Sequence, residues 1–315
     1  VTEVASFNYQ YVDYSKYLEA CPGLIVYQSE ATSSELTAPF FGMDQDKMVG
    51  LAYWGAIEYW GESNGWPKKG WNYSFFNHAL EPYPQAYLIK SAFSDEPLVH
   101  IGVVDSKKES IEWNDVTVGR MPLSSHWNRP EGSKQNLFTY TNADEVELLV
   151  NGKSFGIQKN KRDDIQSRNM IYWQDIPYGK GGNIIAIACN NGKEVARHML
   201  ETTGKAKALK IELENADWKA DGMDLQYVKV YAVDGKGRVV PAAEGEVTFE
   251  VSGEARLIAV DNGDHMTDEL FSGNHKKLHQ GFVMAILRSS QTGGDVKVKA
   301  SLKGLKSAEK KMMTK

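Results

Sequence analysis

The chain has 315 residues, of which 42% are hydrophobic, 24% charged and 11% aromatic. These are globular proportions: they exclude disorder, collagen and a continuous coiled coil for the whole, and at roughly 100–200 residues per domain they predict two or three domains. A formal net charge of −5 leaves no basic field to hold phosphates, so nucleic acid is not an expected partner, and no apolar run approaches the ~18 residues of a membrane span.

Residues 1–96 predict an α/β arrangement. Val4 to Tyr9 reads as a short strand. Asp13 to Ala20 reads as a helix, because Tyr14, Tyr17 and Leu18 recur at three- and four-residue spacing and Pro22-Gly23 stops it. Leu24 to Tyr27 and Met48 to Trp54 are continuous apolar runs, the pattern of parallel strands buried on both faces. Tyr87 to Phe93 reads as a closing helix. This is the rhythm of a βα barrel, although a whole barrel takes about eight strands and fewer are present.

Residues 97–205 change to short alternating strands. Phe138 to Thr141 and Val146 to Val150 alternate, and Asn151-Gly152 follows as a hairpin turn; Ile184 to Cys189 and Val195 to Leu200 continue the style. Residues 206–315 repeat it with Leu209 to Leu213, Val228 to Val233, a turn at Asp234-Gly235, Val247 to Val251 and Val296 to Ala300. Each stretch predicts a β-sandwich. The lysine-rich tail after Leu302 reads as a frayed, solvated end.

Cys21 and Cys189 are too few for a thiolate metal site or a disulfide framework and read as buried thiols. The first residues have neither the basic nor the apolar region of a signal peptide. His78 and the other histidines lack metal-ligand spacing. No phosphate-cradling loop occurs: Gly179-Lys180-Gly181-Gly182 reads as a turn, and Asp261-Asn262-Gly263-Asp264 as a tight turn rather than a calcium loop. Neither a metal nor a cofactor is expected.

The chemistry gathers at three predicted strand ends. Ser29-Glu30 follows one apolar run, Asn8-Tyr9 ends the strand before it, and Trp54 ends the strand after it. A carboxylate at the C-terminal end of a buried parallel strand points into the mouth of a barrel. Amides and hydroxyls bind sugar hydroxyls, and an indole packs on the apolar face of a pyranose. Trp54 to Glu62 adds the carboxylates Glu58 and Glu62, and Trp66, Trp71, Tyr73, Phe75 and Phe76 read as rings filling the base of the domain.

Ile25-Val26-Tyr27-Gln28-Ser29-Glu30-Ala31-Thr32-Ser33, Phe7-Asn8-Tyr9-Gln10, Trp54 through Glu62, and Tyr140 through Leu148 followed by Asn151-Gly152-Lys153-Ser154 resemble the C-terminal portion of glycoside hydrolase family 2, of the β-galactosidase type. The resemblance implies a multidomain α/β plus all-β chain: the C-terminal part of a (β/α)8 barrel over 1–96, then immunoglobulin-like β-sandwiches over 97–205 and 206–315. It implies a retaining glycosidase with Glu30 as nucleophile, and Asn8, Tyr9, Trp54 and Glu58 as substrate-binding residues. The partners it implies are a β-linked oligosaccharide or glycoside and the rest of the barrel. The family's acid/base glutamate lies in an Asn-Glu dipeptide, which does not occur here, so the chain alone is expected to be inactive. Ser-Glu-Ala-Thr-Ser favours a β-galactoside; the Asn-x-Lys clamp of β-glucuronidases is not matched by Asn64-Gly65-Trp66-Pro67-Lys68, and β-mannoside stays open. Family habit places such enzymes in the periplasm or outside the cell. The competing readings are a non-catalytic carbohydrate-binding or adhesion module, in which Glu30 lies on an exposed loop, and a scaffold that orders barrel strands of another chain.

Overall fold

The apolar runs at the start of the chain become a three-stranded sheet, β1 (Val4–Asn8), β2 (Ile25–Thr32) and β3 (Met48–Trp54), paired in parallel in that order. The computed structural model describes residues 3–43, 46–63, 65–113 and 115–315. Helix α1 (Tyr14–Ala20) crosses from β1 to β2 and buries Tyr14 and Leu18 in a cluster with Phe7, Val26 and Met48. A register shift between Phe7 and Asn8 sets Asn8 opposite Glu30, at the C-terminal ends of their strands. A single turn, α2 (Ala38–Phe41), precedes β3. The pair β4 (Tyr59–Trp60) and β5 (Gly70–Trp71) leads to α3 (Pro84–Phe93). Proline opens α3 where a missing N–H costs nothing.

Next come β6 (Val99–Val104), the hairpin β7 (Glu109–Trp113) and β8 (Val116–Arg120), β9 (Leu123–Ser124), β10 (Lys134–Thr141), β11 (Glu145–Val150), β12 (Lys153–Lys159), β13 (Met170–Pro177), β14 (Asn183–Asn190) and β15 (Lys193–Glu201). Two sheets, ordered β13-β10-β6-β9 and β12-β11-β14-β15, enclose one core that includes Ile101, Trp127, Leu137, Leu148, Trp173 and Ile184. At the β11–β12 turn Asn151 and Gly152 have φ of 50° and 79°. Two successive positive φ values define the hairpin turn whose twist matches the strands, and Asn and Gly adopt it at least cost.

The remaining strands are β16 (Ala208–Leu213), β17 (Leu225–Val233), β18 (Glu246–Gly253), β19 (Ala255–Asp261), β20 (His275–Lys277), β21 (Phe282–Ser289), β22 (Gly294–Ser301) and β23 (Ala308–Thr314). They form sheets ordered β16-β17-β21-β19 and β20-β18-β22-β23 around a second core that includes Trp218, Val230, Phe249 and Leu287. The chain divides into two compact units, Val1–Thr202 and Thr203–Lys315. It is mostly β, with few helices, and no described helix is long and apolar enough to cross a membrane.

Two expectations need correction. The lysine-rich tail is not frayed: β23 pairs with β22 along its whole length, Met312 packs on the core and Thr314 is buried. Lys310 and Lys311 stand on an edge strand, where lysine discourages pairing with another chain. Cys21 is exposed and Cys189 half-buried, so neither is a core thiol. Cys21 caps α1 as the chain turns toward β2, outside the apolar face of the helix.

Candidate active site

The parallel register brings Asn8, Tyr9 and Glu30 together. The Tyr9 backbone N–H donates to the Glu30 carbonyl at 2.8 Å, and the Tyr9 hydroxyl donates to Glu30 Oε2. Tyr9 reaches that position with a φ of 60°, a left-handed conformation unusual for an aromatic residue. The turn swings its ring back over the end of β2. Ser6 donates to the Ser29 hydroxyl at 2.6 Å, which in turn lies 2.6 Å from Asn8 Oδ1. Asn8 is therefore fixed to the residue preceding Glu30 rather than to Glu30 itself.

Burial, reinforced by the hydrogen bond to Glu30, pushes the Tyr9 phenol far above its usual range. It stays protonated and acts as a donor to the carboxylate. Gln28, with 0% exposure, supports the same strand end from below: its Nε2 donates to the Glu30 carbonyl at 3.2 Å.

Two further residues belong to this cluster that the sequence reading did not single out as site members. Tyr59 donates its hydroxyl to Glu62, and both interact electrostatically with Tyr9; Tyr59 also feels Glu30. Burial first, and the Glu62 hydrogen bond second, raise the Tyr59 phenol well above its usual range. Glu62 is exposed and sits at a φ of 48°, in a turn that breaks strand periodicity. The only sequence signal for the pair was their nearness to Trp54.

Trp54 lies across the sheet from Thr32, two residues past Glu30. Its half-buried ring meets Tyr59 edge-on at 6.3 Å, so it borders the cluster through Tyr59. The chain leaves Trp54 through Gly55, at a φ of 62°, where a Cβ would stand 2.4 Å from Trp71 Nε1. Only glycine permits that close approach. Trp71, Tyr73 and Phe75 are buried as expected, whereas Trp66 is 76% exposed.

Glu58 does not join Glu30. Its side chain is buried, at 2% exposure, where Tyr83 donates to Oε1 at 2.8 Å and Arg120 Nη1 stands 3.8 Å away. His78 Nδ1 lies 4.0 Å from Oε2. Arg120 also donates to the Asn72 carbonyl and to Glu109, tying the loop after β3 to the β7–β8 hairpin. Glu58 sits in a buried ion pair whose partner, Arg120, lies too far along the chain to be paired by spacing. Asn64, considered above for a glucuronide clamp, lies outside the described residues.

Residues 209–311 match the profile described as glycoside hydrolase family 2 C-terminal domain 5, and residues 132–196 match a domain of unknown function, DUF4982. A curated relative, β-galactosidase BoGH2A of Bacteroides ovatus, is 29% identical over 268 residues, covering 84% of this chain and 28% of that protein. A β-glucuronidase of Formosa agariphila is 28% identical over 229 residues, 71% of this chain and 20% of that protein. The crystal structure of a glycosyl hydrolase family 2 member from Bacteroides cellulosilyticus superposes with a TM-score of 0.86 at 30% identity, over 99% of this chain and 42% of that one. The chain thus spans less than half the length of each protein it matches here. In sequence and in fold, the chain is similar to the C-terminal region of glycoside hydrolase family 2 proteins, and residues 209–311 match that family's C-terminal domain.

Proposed function

We propose that this chain carries the nucleophile side of a retaining β-glycosidase site, with Glu30 as the nucleophile. The observation that supports this most is the Tyr9 phenol donating to Glu30 Oε2 at adjacent ends of parallel strands. In a retaining mechanism two carboxyls about 5–5.5 Å apart flank the glycosidic bond. Glu30 attacks the anomeric carbon as the leaving oxygen takes a proton from the partner acid, and water then cleaves the glycosyl ester with that partner as base. Tyr9 holds the attacking oxygen's neighbour by a charge-assisted hydrogen bond and leaves the other carboxylate oxygen for attack. Asn8 and Trp54 bound the sugar, while Glu58 acts as a positioning residue for the loop that carries Tyr59 and Glu62.

On this reading the partner acid comes from sequence outside these 315 residues, and residues 1–96 form the last part of a barrel followed by two immunoglobulin-like sandwiches. A β-galactoside is the favoured substrate, in keeping with the Bacteroides ovatus relative; a β-glucuronide is second, on the strength of the Formosa agariphila relative. Periplasmic or extracellular residence fits a polysaccharide-derived substrate. The test is turnover of an aryl β-galactoside and an aryl β-glucuronide by the complete protein and by this chain. The chain alone is expected to be inactive, and Glu30→Gln in the complete protein to lower kcat on the order of 10⁴-fold or more. Full activity of Glu30→Gln would overturn the assignment.

A further inference from the structure

The cluster at the strand ends holds a second phenol–carboxylate pair to which the nucleophile assignment gives no role. Tyr59, on β4, donates its hydroxyl to Glu62 Oε2, as Tyr9 does to Glu30 Oε2. Each pair has one member at a left-handed φ, Tyr9 at 60° and Glu62 at 48°. Such backbone is costly for a residue other than glycine, and it persists chiefly where a site needs it. At Glu62 it accompanies the return of the carboxylate to the ring three residues earlier. The hairpin fixes the base of this turn: the Gly61 N–H donates to the Lys69 carbonyl at 3.0 Å, and Trp60 pairs with Gly70. Glu62 is nonetheless exposed.

The unpaired charges of the cluster have one sign. Neither Glu30 nor Glu62 has an ion-pair partner among the described residues. The nearby cations are drawn elsewhere. Lys68 Nζ lies 5.6 Å from the ring centroid of Tyr73, and Lys69 Nζ 5.2 Å from that of Trp66. Arg120 is held by Glu58, Glu109 and the Asn72 carbonyl. The Tyr9 hydroxyl that bonds Glu30 also feels Glu62, and Tyr59 feels Glu30. A sugar seated on Glu30 therefore stands in the field of two carboxylates. A further negative charge on that sugar is repelled, whereas its hydroxyls find a charged acceptor. We propose that Glu62, held by Tyr59, sets the substrate class of this site: it accepts a hydrogen bond from a hydroxyl of an uncharged glycoside and turns away glycosides that carry a carboxylate. The assignment rests on Glu30 as the nucleophile and narrows what Glu30 attacks.

The test compares the complete protein with its Glu62→Gln variant on an aryl β-galactoside and the matching aryl β-galacturonide, which differ only in a hydroxymethyl against a carboxylate at C6. The wild type is expected to favour the galactoside in kcat/KM. Glu62→Gln keeps the shape and removes the charge, and is expected to lower that preference by about tenfold or more. Binding of the same two glycosides is measured on Glu30→Gln with and without Glu62→Gln, so that the role of Glu62 is read apart from turnover. The proposal is overturned if the wild type shows no preference for the galactoside in turnover or in binding, or if Glu62→Gln changes both glycosides by the same factor. A preference that falls with Glu62→Gln while Glu30→Gln retains full turnover would support Glu62 and overturn only the nucleophile.

Discussion

Two fully buried glutamines show how differently the parallel sheet at the start of the chain and the β sheets of its last unit handle polarity. Gln226, on β17, is 1% exposed and satisfied: Oε1 accepts the N–H groups of Glu214 and Asn215, and Nε2 donates to the Asn215 carbonyl. Gln28, on β2, is 0% exposed, yet only its Nε2 is bonded, to the Glu30 carbonyl, and Oε1 has no hydrogen-bond partner among the described residues. The sandwich uses its buried amide to close a loop. The parallel sheet keeps polar capacity in reserve beside Glu30, and Tyr14 Oη, buried against the same sheet, repeats the pattern. Open buried groups in a native fold call for an explanation, and functional sites are where such groups collect.

The largest expected effect tests whether Glu58 serves structure rather than substrate. Glu58→Ala leaves Arg120 and Tyr83 without their buried partner and is expected to cost about 3–5 kcal/mol in urea denaturation. Near-wild-type stability would return Glu58 to the list of substrate contacts. The glutamine comparison comes next. Gln226→Leu strands two N–H groups and a carbonyl and is expected to cost about 2–4 kcal/mol, whereas Gln28→Leu removes an unpaired oxygen and one bond to a carbonyl that the Tyr9 N–H still engages, and costs about 1 kcal/mol or less. Equal losses at the two positions would dissolve the contrast.

Acidification probes a third buried region. His100 and His198 stack at 4.1 Å between the ring of Tyr87 and the second sheet of that sandwich, and the Ile101 N–H donates to His198 Nδ1. Burial lowers both, His198 to about 4, and burial aided by Arg129 lowers His126 to about 4. The unfolded chain binds these protons near pH 6.5 while the folded chain refuses them. Stability contributed by the neutral rings is therefore complete above about pH 6.5 and falls as the pH drops toward 4, by up to about 1.4 kcal/mol per pH unit for each histidine. Denaturation between pH 7 and pH 4.5 checks the slope, and His126→Gln should flatten it; a slope unchanged by that variant would contradict the assignment. Tyr9→Phe removes one hydrogen bond to a charged acceptor. It is expected to lower kcat/KM of the complete protein by roughly 10- to 100-fold with the fold intact, equivalent to about 1.5–3 kcal/mol.

Much of this was legible in the residues because the signals were local. Continuous apolar runs marked β2 and β3, alternation marked β11 and β17, and Asn151-Gly152 marked its turn. Strand ends then placed Asn8, Tyr9 and Glu30 side by side without further information. What escaped depended on partners distant in sequence. Glu58 is internal because of Tyr83 and Arg120. Tyr59 lies on the two-residue strand β4 and Glu62 just beyond it at a positive φ, a stretch too short for periodicity to carry a message. In the tail, lysines at both faces obscured the alternation that buries Met312 and Thr314.

The most direct measurement is mechanism-based labelling of the complete protein with a 2-deoxy-2-fluoro-β-galactosyl fluoride, and with its glucuronyl counterpart, followed by peptide mapping. The account predicts a single covalent glycosyl adduct on Glu30, absent from Glu30→Gln. Stoichiometric inactivation with the label on any other carboxylate would contradict it.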